Sequence, residues 1–301
     1  MNKPELIIIA GPTSVGKTEV SLEIAKHFNT EIINCDSRQM FKEMKIGSGY
    51  PSEEELKSVK HHFIGNLSIH DYYNAGRYEE DVIKLLEKLF QKYDKLVVSA
   101  GSGLYLDAII RGIDYMPEYN SEIREILNEK LNKNGLESLL EDLKNCDPKY
   151  YEELDKKNVQ RVLRGLEVFM LTGKPYSDFR IKQHKERFFD MTKICLTRDR
   201  EELYRRIEQR VDIMHEAGLE NEAKYIYENK NLPAAKTIGY REWFPYFDGD
   251  IDLQEVLRLI KRNTRHLARR QITWFKAKPD FIEIPADNIS EILRYIKTNL
   301  K

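Results

Sequence analysis

The feature that most limits the fold is Leu6-Ile7-Ile8-Ile9-Ala10, followed at once by Gly11-Pro12-Thr13-Ser14-Val15-Gly16-Lys17-Thr18. A short apolar run reads as a buried strand. The glycine-bearing stretch after it fits G-x-x-x-x-G-K-[ST], a phosphate-binding loop between a strand and a helix. Its glycines permit backbone conformations that a Cβ would obstruct, so successive N–H groups can converge on one anion. Lys17 adds a mobile positive charge, and the Thr18 hydroxyl can ligate Mg²⁺. Helix signals continue from Glu19 to Phe28 and turn the positive end of a helix toward the phosphates. The loop therefore implies a polyphosphate with magnesium, but no particular reaction. Kinases, NTPases and group transferases with a diphosphate leaving group can all use it.

Two further strand ends carry comparable turns. Glu31-Ile32-Ile33-Asn34-Cys35 reads as a buried strand ending at Asp36-Ser37-Arg38-Gln39, and Lys95 to Ser99 as another ending in Ala100-Gly101-Ser102-Gly103-Leu104-Tyr105. In open parallel sheets, chemistry collects at the carboxyl ends of strands, so Asp36 is expected near the phosphate loop. Three such ends argue for a doubly wound α/β core. Between them, Gly76 to Phe90 is helical by periodicity. His61 and His62 read as loop packing or a hydrogen bond to backbone, since no third metal ligand sits at useful spacing.

From about Pro117 the pattern changes to short amphipathic helices: Ser121 to Lys133, Leu136 to Leu143, Tyr150 to Leu154 and Val159 to Leu171. The expected organisation is an α/β core over 1–116 and 190–301, with a mainly helical insertion over 117–189. A return strand is expected at Lys193 to Leu196, then a helix from Arg200 to Ala217 closed by Gly218. A last strand is expected at Phe281 to Ile284 and a closing helix at Ile289 to Thr298.

The chain's 301 residues are 41% hydrophobic and 33% charged, as in a soluble globular protein. A net charge of -1 gives no global attraction to nucleic acid, so any such binding needs a local basic surface. Cys35, Cys146 and Cys195 are isolated, which indicates neither a zinc site nor a disulfide framework and fits a reducing cytoplasm. No apolar run approaches membrane-spanning length, the first strand begins too early for a signal peptide, and nothing demands more than a monomer.

A local basic surface is present. Arg258 to Lys278 holds Arg258, Lys261, Arg262, Arg265, Arg269, Arg270, Lys276 and Lys278 without one acidic residue. At about 100° per residue, Val256, Ile260, Leu267 and Trp274 share one face, and Arg258, Arg262, Arg265, Arg269 and Lys276 share the opposite one. Such a row of cations suits a polyanion such as an RNA backbone. A second cluster, Arg161 and Arg164 with Lys156 and Lys157, is an ordinary surface by itself and a second contact point beside the basic helix. By position, Asp36 is either a Mg²⁺ ligand or a base that takes a proton from an attacking group. Arg206 and Arg210 share a helix face from which they could reach a diphosphate.

GPTSVGKT, DSRQ (Asp36 to Gln39), AGSGLY (Ala100 to Tyr105), QRVLRGLEV (Gln160 to Val168), TIGYREW (Thr237 to Trp243) and ARRQITWF (Ala268 to Phe275) occur in that order. Over nearly its whole length the chain resembles the bacterial tRNA dimethylallyltransferases, the isopentenyl transferases that modify an adenosine beside the anticodon. The resemblance implies a P-loop kinase-like parallel-sheet core, a helical insertion, and a channel in which adenine meets dimethylallyl diphosphate. Gly11, Pro12, Thr13, Ser14, Val15, Gly16, Lys17, Thr18 and Arg210 would hold the diphosphate of that donor rather than ATP, with Mg²⁺ on Thr18. Asp36 would accept a hydrogen bond and then the proton of the adenine N6 amine, with Ser102 close to the reacting centre. Contacts to tRNA would come from Asp36, Ser37, Arg38, Gln39, Ser102, Arg124, Gln160, Arg161, Val162, Leu163, Arg164, Lys236, Thr237, Ile238, Gly239, Tyr240 and Arg241. Arg258, Arg262, Arg265 and Arg269 of the basic helix would join them. The family's Gly-Gly-Thr-Gly turn reads Ala100-Gly101-Ser102-Gly103 here, and Ala100 is tolerable only at negative φ. Two rivals stand beside this reading: a relative that prenylates free adenine nucleotide, against which the basic helix counts, and an RNA-binding kinase or NTPase with ATP on the loop.

Overall fold

A computed structural model describes residues 3–181 and 184–299. In chain order its strands are β1 Glu5–Ala10, β2 Ile32–Cys35, β3 His61–His62, β4 Lys95–Ala100, β5 Asp190–Thr197 and β6 Ile282–Pro285. They form one sheet in the order β3-β2-β4-β1-β5-β6, and every pairing is parallel. Every residue of β1 is buried, which is why it reads as an unbroken apolar run: helices cover both faces of such a sheet. The expected α/β core is thus observed, with β5 starting earlier than expected, at Asp190. The unexpected strand is β3, where His61 and His62 pair with Ile32 and Ile33. His61 Nδ1 meets the Val59 carbonyl at 2.8 Å, whereas His62 Nε2 meets the Glu31 carboxylate at 2.5 Å. Among the described residues no His/Cys/Asp/Glu group could cage a metal.

Register brings the loops together. Ala10 and Cys35 both lie opposite Ala100, so Gly11, Asp36 and Gly101 leave three neighbouring strands side by side. The Gly101 and Ser102 N–H groups both donate to the Cys35 carbonyl at 3.2 Å, which ties the third loop to the second. Ala100 completes β4 and is not among the residues with positive φ, so the alanine is accommodated.

The chain divides into two compact units: residues up to Ile110 with those from Arg187 on, and Arg111–Glu186. The second unit is helical. Its Ser121–Cys146 span is two helical segments meeting at Gly135, whose φ of 77° is not helical. The Val159–Thr172 helix is capped by Asn158, whose side chain accepts from the Arg161 N–H, and stops at left-handed Gly173. Leu127, Leu139, Leu143, Tyr150, Val162, Leu163 and Leu166 form its core. Among the described residues no helix is long and apolar enough to cross a membrane.

Candidate active site

At the carboxyl ends of the central strands lies a cavity of about 1360 Å³. The first loop contributes Thr13, Ser14, Gly16, Lys17 and Thr18 to its lining. Gly11, Pro12 and Val15 are buried beneath them, with Val15 in the core. Gly11 and Gly16 adopt φ of 152° and 114°, and Ser14 is left-handed at 63°, so the peptides turn as an anion-binding loop requires. Two arginines brace it: Arg206, which also lines the cavity, donates from Nε to the Ser14 carbonyl at 3.0 Å, and Arg198 Nε donates to the Val15 carbonyl at 3.1 Å. A carbonyl held by a guanidinium fixes its peptide plane, and with it the direction of the next residue's N–H. Arg198 escaped the sequence reading because nothing around it marks a contact with a loop 183 residues away.

Lys17 and Asp36 converge on Gly101. A Cβ at Gly101 would lie 2.9 Å from Asp36 Oδ2 and 3.7 Å from Lys17 Nζ, so the missing side chain leaves room for both charged groups. Lys17 Nζ also donates to the Gly11 and Pro12 carbonyls, at 3.0 and 2.8 Å. Burial lowers its ammonium from 10.5 to about 8; Asp36 opposes that and Arg210 adds to it. Asp36 Oδ1 accepts from the Arg38 N–H at 2.9 Å, a local turn bond that fixes the carboxylate and leaves Oδ2 toward Gly101. Ser102 Oγ accepts from the Ser37 N–H at 3.1 Å.

Arg210 lines the cavity, and its Nη2 donates to the Gly49 carbonyl at 3.2 Å; Gln39 Nε2 donates to the same oxygen at 2.7 Å. Burial lowers Arg210 from its ordinary value, but a guanidinium stays charged. Ser37, Arg38, Gln39, Lys236, Thr237, Ile238, Gly239 and Arg241 also line the cavity. Tyr240 does not: it is fully buried, and its hydroxyl donates to Glu222 at 2.7 Å. It supports its segment from below and is removed from the contact set.

In the helical unit, the Gln160 to Arg164 stretch is split by the helix period. Gln160 and Arg161 are exposed, but Val162 and Leu163 turn into the core. A run of five on a helix cannot present one face, so those two side chains are also corrected out of the contact set. Arg124 and Arg164 meet the fully buried Glu167 carboxylate at 3.0 and 3.2 Å. Arg164 also donates to the Pro117 carbonyl.

The basic helix spans Leu253–Lys276, carries Glu255 in its first turn and has three faces where two were expected. Val256, Ile260, Ala268 and Phe275 are buried. Ile260, Thr264, Leu267, Gln271 and Trp274, spaced four and three residues apart, form a stripe that lines the cavity. Leu267 and Trp274, assigned from periodicity to a docking face, therefore face the site. On the third face, Arg265 pairs with Glu208, Lys261 with Asp212 and Arg258 with Glu255, each at 2.6 Å. The expected row of solvated cations is thus partly paired with acids, largely from the Arg200–Glu216 helix. Arg262, Arg269 and Arg270 are exposed. The pKa of His266 among them is lowered, by partial desolvation and then by Arg269, Arg262, Arg270 and Arg265.

A family profile described as IPP transferase matches residues 39–278. The chain is 46% identical over 291 residues to tRNA dimethylallyltransferase 1 of Phocaeicola vulgatus, covering 97% of each. It is 46% identical over 304 residues to the tRNA dimethylallyltransferase of Flavobacterium johnsoniae, covering 98% of each. Among solved structures, the tRNA isopentenylpyrophosphate transferase of Bacillus halodurans matches with a TM-score of 0.71 at 32% identity, over 98% of this chain and 96% of that one. A eukaryotic dimethylallyltransferase acting on tRNA gives 0.79 at 25% identity, over 97% of this chain and 78% of the other.

Proposed function

The chain belongs to the IPP transferase family, and from that membership we propose that it transfers a dimethylallyl group from dimethylallyl diphosphate to N6 of adenosine 37 in tRNA. It does so as a monomer in the cytoplasm. The observation that carries this reading is the approach of the Asp36 carboxylate and the Lys17 ammonium to one small glycine in a single cavity. A proton acceptor and a leaving-group cradle are both needed at one reacting carbon, and here they adjoin.

The N6 lone pair attacks the primary allylic carbon, the carbon–oxygen bond breaks, and its electrons leave with the diphosphate. Charge that builds on the leaving oxygens meets loop N–H groups, Lys17 and Arg210, which are already oriented. The N6 amine is a poor nucleophile because its lone pair is conjugated with the ring, and its proton passes to Asp36. Ser102, bonded to the Ser37 N–H, holds the second and third loops at one spacing beside that base. The adenine leaves its stack to enter the cavity. Thr18 offers a hard hydroxyl oxygen on the same cavity and suits Mg²⁺, which keeps few protein ligands and takes the rest from substrate phosphates. Bound there, the ion would neutralise diphosphate charge. Contacts to tRNA come from Gln160, Arg161, Arg124 and Arg164 of the helical unit, and from Lys236, Thr237, Ile238, Gly239, Arg241, Arg262 and Arg269 of the core.

The test is label transfer. With Mg²⁺, labelled dimethylallyl diphosphate and unmodified tRNA, label is expected on tRNA whose anticodon loop has adenosine 37. Asp36→Ala is expected to lose about 10²–10³ in rate with far less effect on tRNA affinity. Transfer to free AMP in preference to tRNA, or tight ATP binding without binding of dimethylallyl diphosphate, would replace this reading with one of its rivals.

A further inference from the structure

We propose that Gln271 is a positioning residue whose single carboxamide fixes the distance between the leaving-group loop and the loop that carries the base. The inference rests on the transfer activity proposed above, and nothing in that scheme uses the residue. Gln271 Oε1 accepts from the Thr13 N–H at 2.9 Å, and its Nε2 donates to the Gly101 carbonyl at 2.8 Å. Those partners are 258 and 170 residues away in sequence. One is in the phosphate loop. The other is the glycine against which Asp36 and Lys17 both lie.

The orientation of the amide is set by its partners. A backbone N–H can only meet Oε1 and a backbone carbonyl can only meet Nε2, so one rotamer and one flip satisfy both. No other side chain of this length offers one donor and one acceptor on a planar fork. Glutamate would keep the bond from Thr13 but turn a carboxylate oxygen onto the Gly101 carbonyl; methionine keeps the shape and makes neither bond.

The amide also decides which loop N–H groups serve the donor. The Thr13 N–H is taken by Gln271, so the diphosphate is met by later groups of the loop. The anchor is rigid because the stripe bearing Gln271 belongs to a 24-residue helix whose Ala268 and Phe275 are buried. Ring packing adds to it: a Cβ at Gly103 would come 2.6 Å from Trp274 Cε2, so the third loop already rests on the same helix one turn further on. Through Gln271 the helix therefore sets how far the allylic carbon stands from Asp36.

A shift of about 1 Å between reacting groups can cost on the order of 100-fold in rate. Gln271→Glu and Gln271→Met are expected to lower kcat about 10–100-fold per donor-binding site. The KM for dimethylallyl diphosphate and the Kd for tRNA are expected to stay within about threefold, because the phosphate loop and the cationic surface remain. Exchange of the Thr13 amide, measured on the folded protein, is expected to speed up in the Met variant and to remain slow in the Glu variant. Should the Met variant fail to fold, the Glu variant decides by the split between kcat and KM. A kcat within about threefold of wild type in a folded variant, or a loss matched by an equal loss of donor-binding sites, overturns the proposal. A wild-type protein that transfers no prenyl group overturns instead the reading of function beneath it, whatever the Thr13 amide does.

Discussion

Lys17 is pulled two ways: burial lowers its ammonium from 10.5 to about 8, with Arg210 adding to the effect, while the Asp36 carboxylate raises it. A lysine in solvent keeps its charge to about pH 10, but this one loses it within the range of an ordinary assay. A phosphate ester is fully ionised well below that range, its second pKa being about 6, so the change falls on the enzyme. In the proposed scheme the protonated lysine holds the anion and the neutral one does not. Hence kcat/KM for the donor, which reports groups of the free enzyme, is expected to decline along an alkaline limb centred near pH 8. Lys17→Met is expected to lose roughly 10²–10³ in rate and to lose that limb as well. A wild-type profile flat to about pH 10 would show that this ammonium is not what holds the leaving group.

The Leu253–Lys276 helix shows how far periodicity alone can be trusted. Its apolar residues were legible as a stripe, and Val256 and Ile260 are buried. What could not be read was the neighbour. Glu208 and Asp212 are four apart on the Arg200–Glu216 helix and meet Arg265 and Lys261, four apart here, in antiparallel order. A pairing of that kind has no signature within either segment. Nor has the cavity stripe through Thr264, Leu267 and Gln271, which differs from the core stripe only by a rotation of the helix. Exposed ion pairs add about 0–1 kcal/mol, so Arg265→Gln is expected to change stability little and RNA binding little. Arg262 and Arg269 are exposed and carry the prediction for tRNA. Replacing both by Gln is expected to weaken tRNA binding at low salt and to reduce the log–log salt slope by about 1.4–1.8, at 0.7–0.9 per phosphate contact. An unchanged slope, measured by titration across salt concentrations, would detach this helix from the substrate.

At the scale of the whole chain, the centre of the sheet was legible because β1, β2 and β4 are built on short apolar runs and their turns carry glycine, serine and one aspartate. The two-residue β3 was not, because His61 and His62 carry no strand pattern and pair only because Ile32 and Ile33 offer them an edge. The cavity lining was legible where a motif occupies one stretch, as in Gly11 to Thr18 and Asp36 to Gln39. It was hidden where a contact joins distant stretches, as with Arg198 and Gln271. The two compact units make a further consequence testable. Every residue lining the cavity belongs to the unit ending at Ile110 and resuming at Arg187. The helical unit has a hydrophobic core of its own, around Leu139, Leu143 and Leu163. A donor that binds the cavity stabilises only the openings that expose it, by about 2.7 kcal/mol, or about 100-fold in exchange rate, at a hundred times its Kd. Peptide-resolved amide exchange with dimethylallyl diphosphate and Mg²⁺ is therefore expected to slow over residues 11–18, 36–39, 101–103 and 205–214 and to leave 111–186 unchanged. Adding tRNA is expected to extend protection to Arg124 and to Gln160 and Arg161. Slowing of 111–186 by the donor alone would place diphosphate contacts in the helical unit and displace Lys17 and Arg210 from their assigned role.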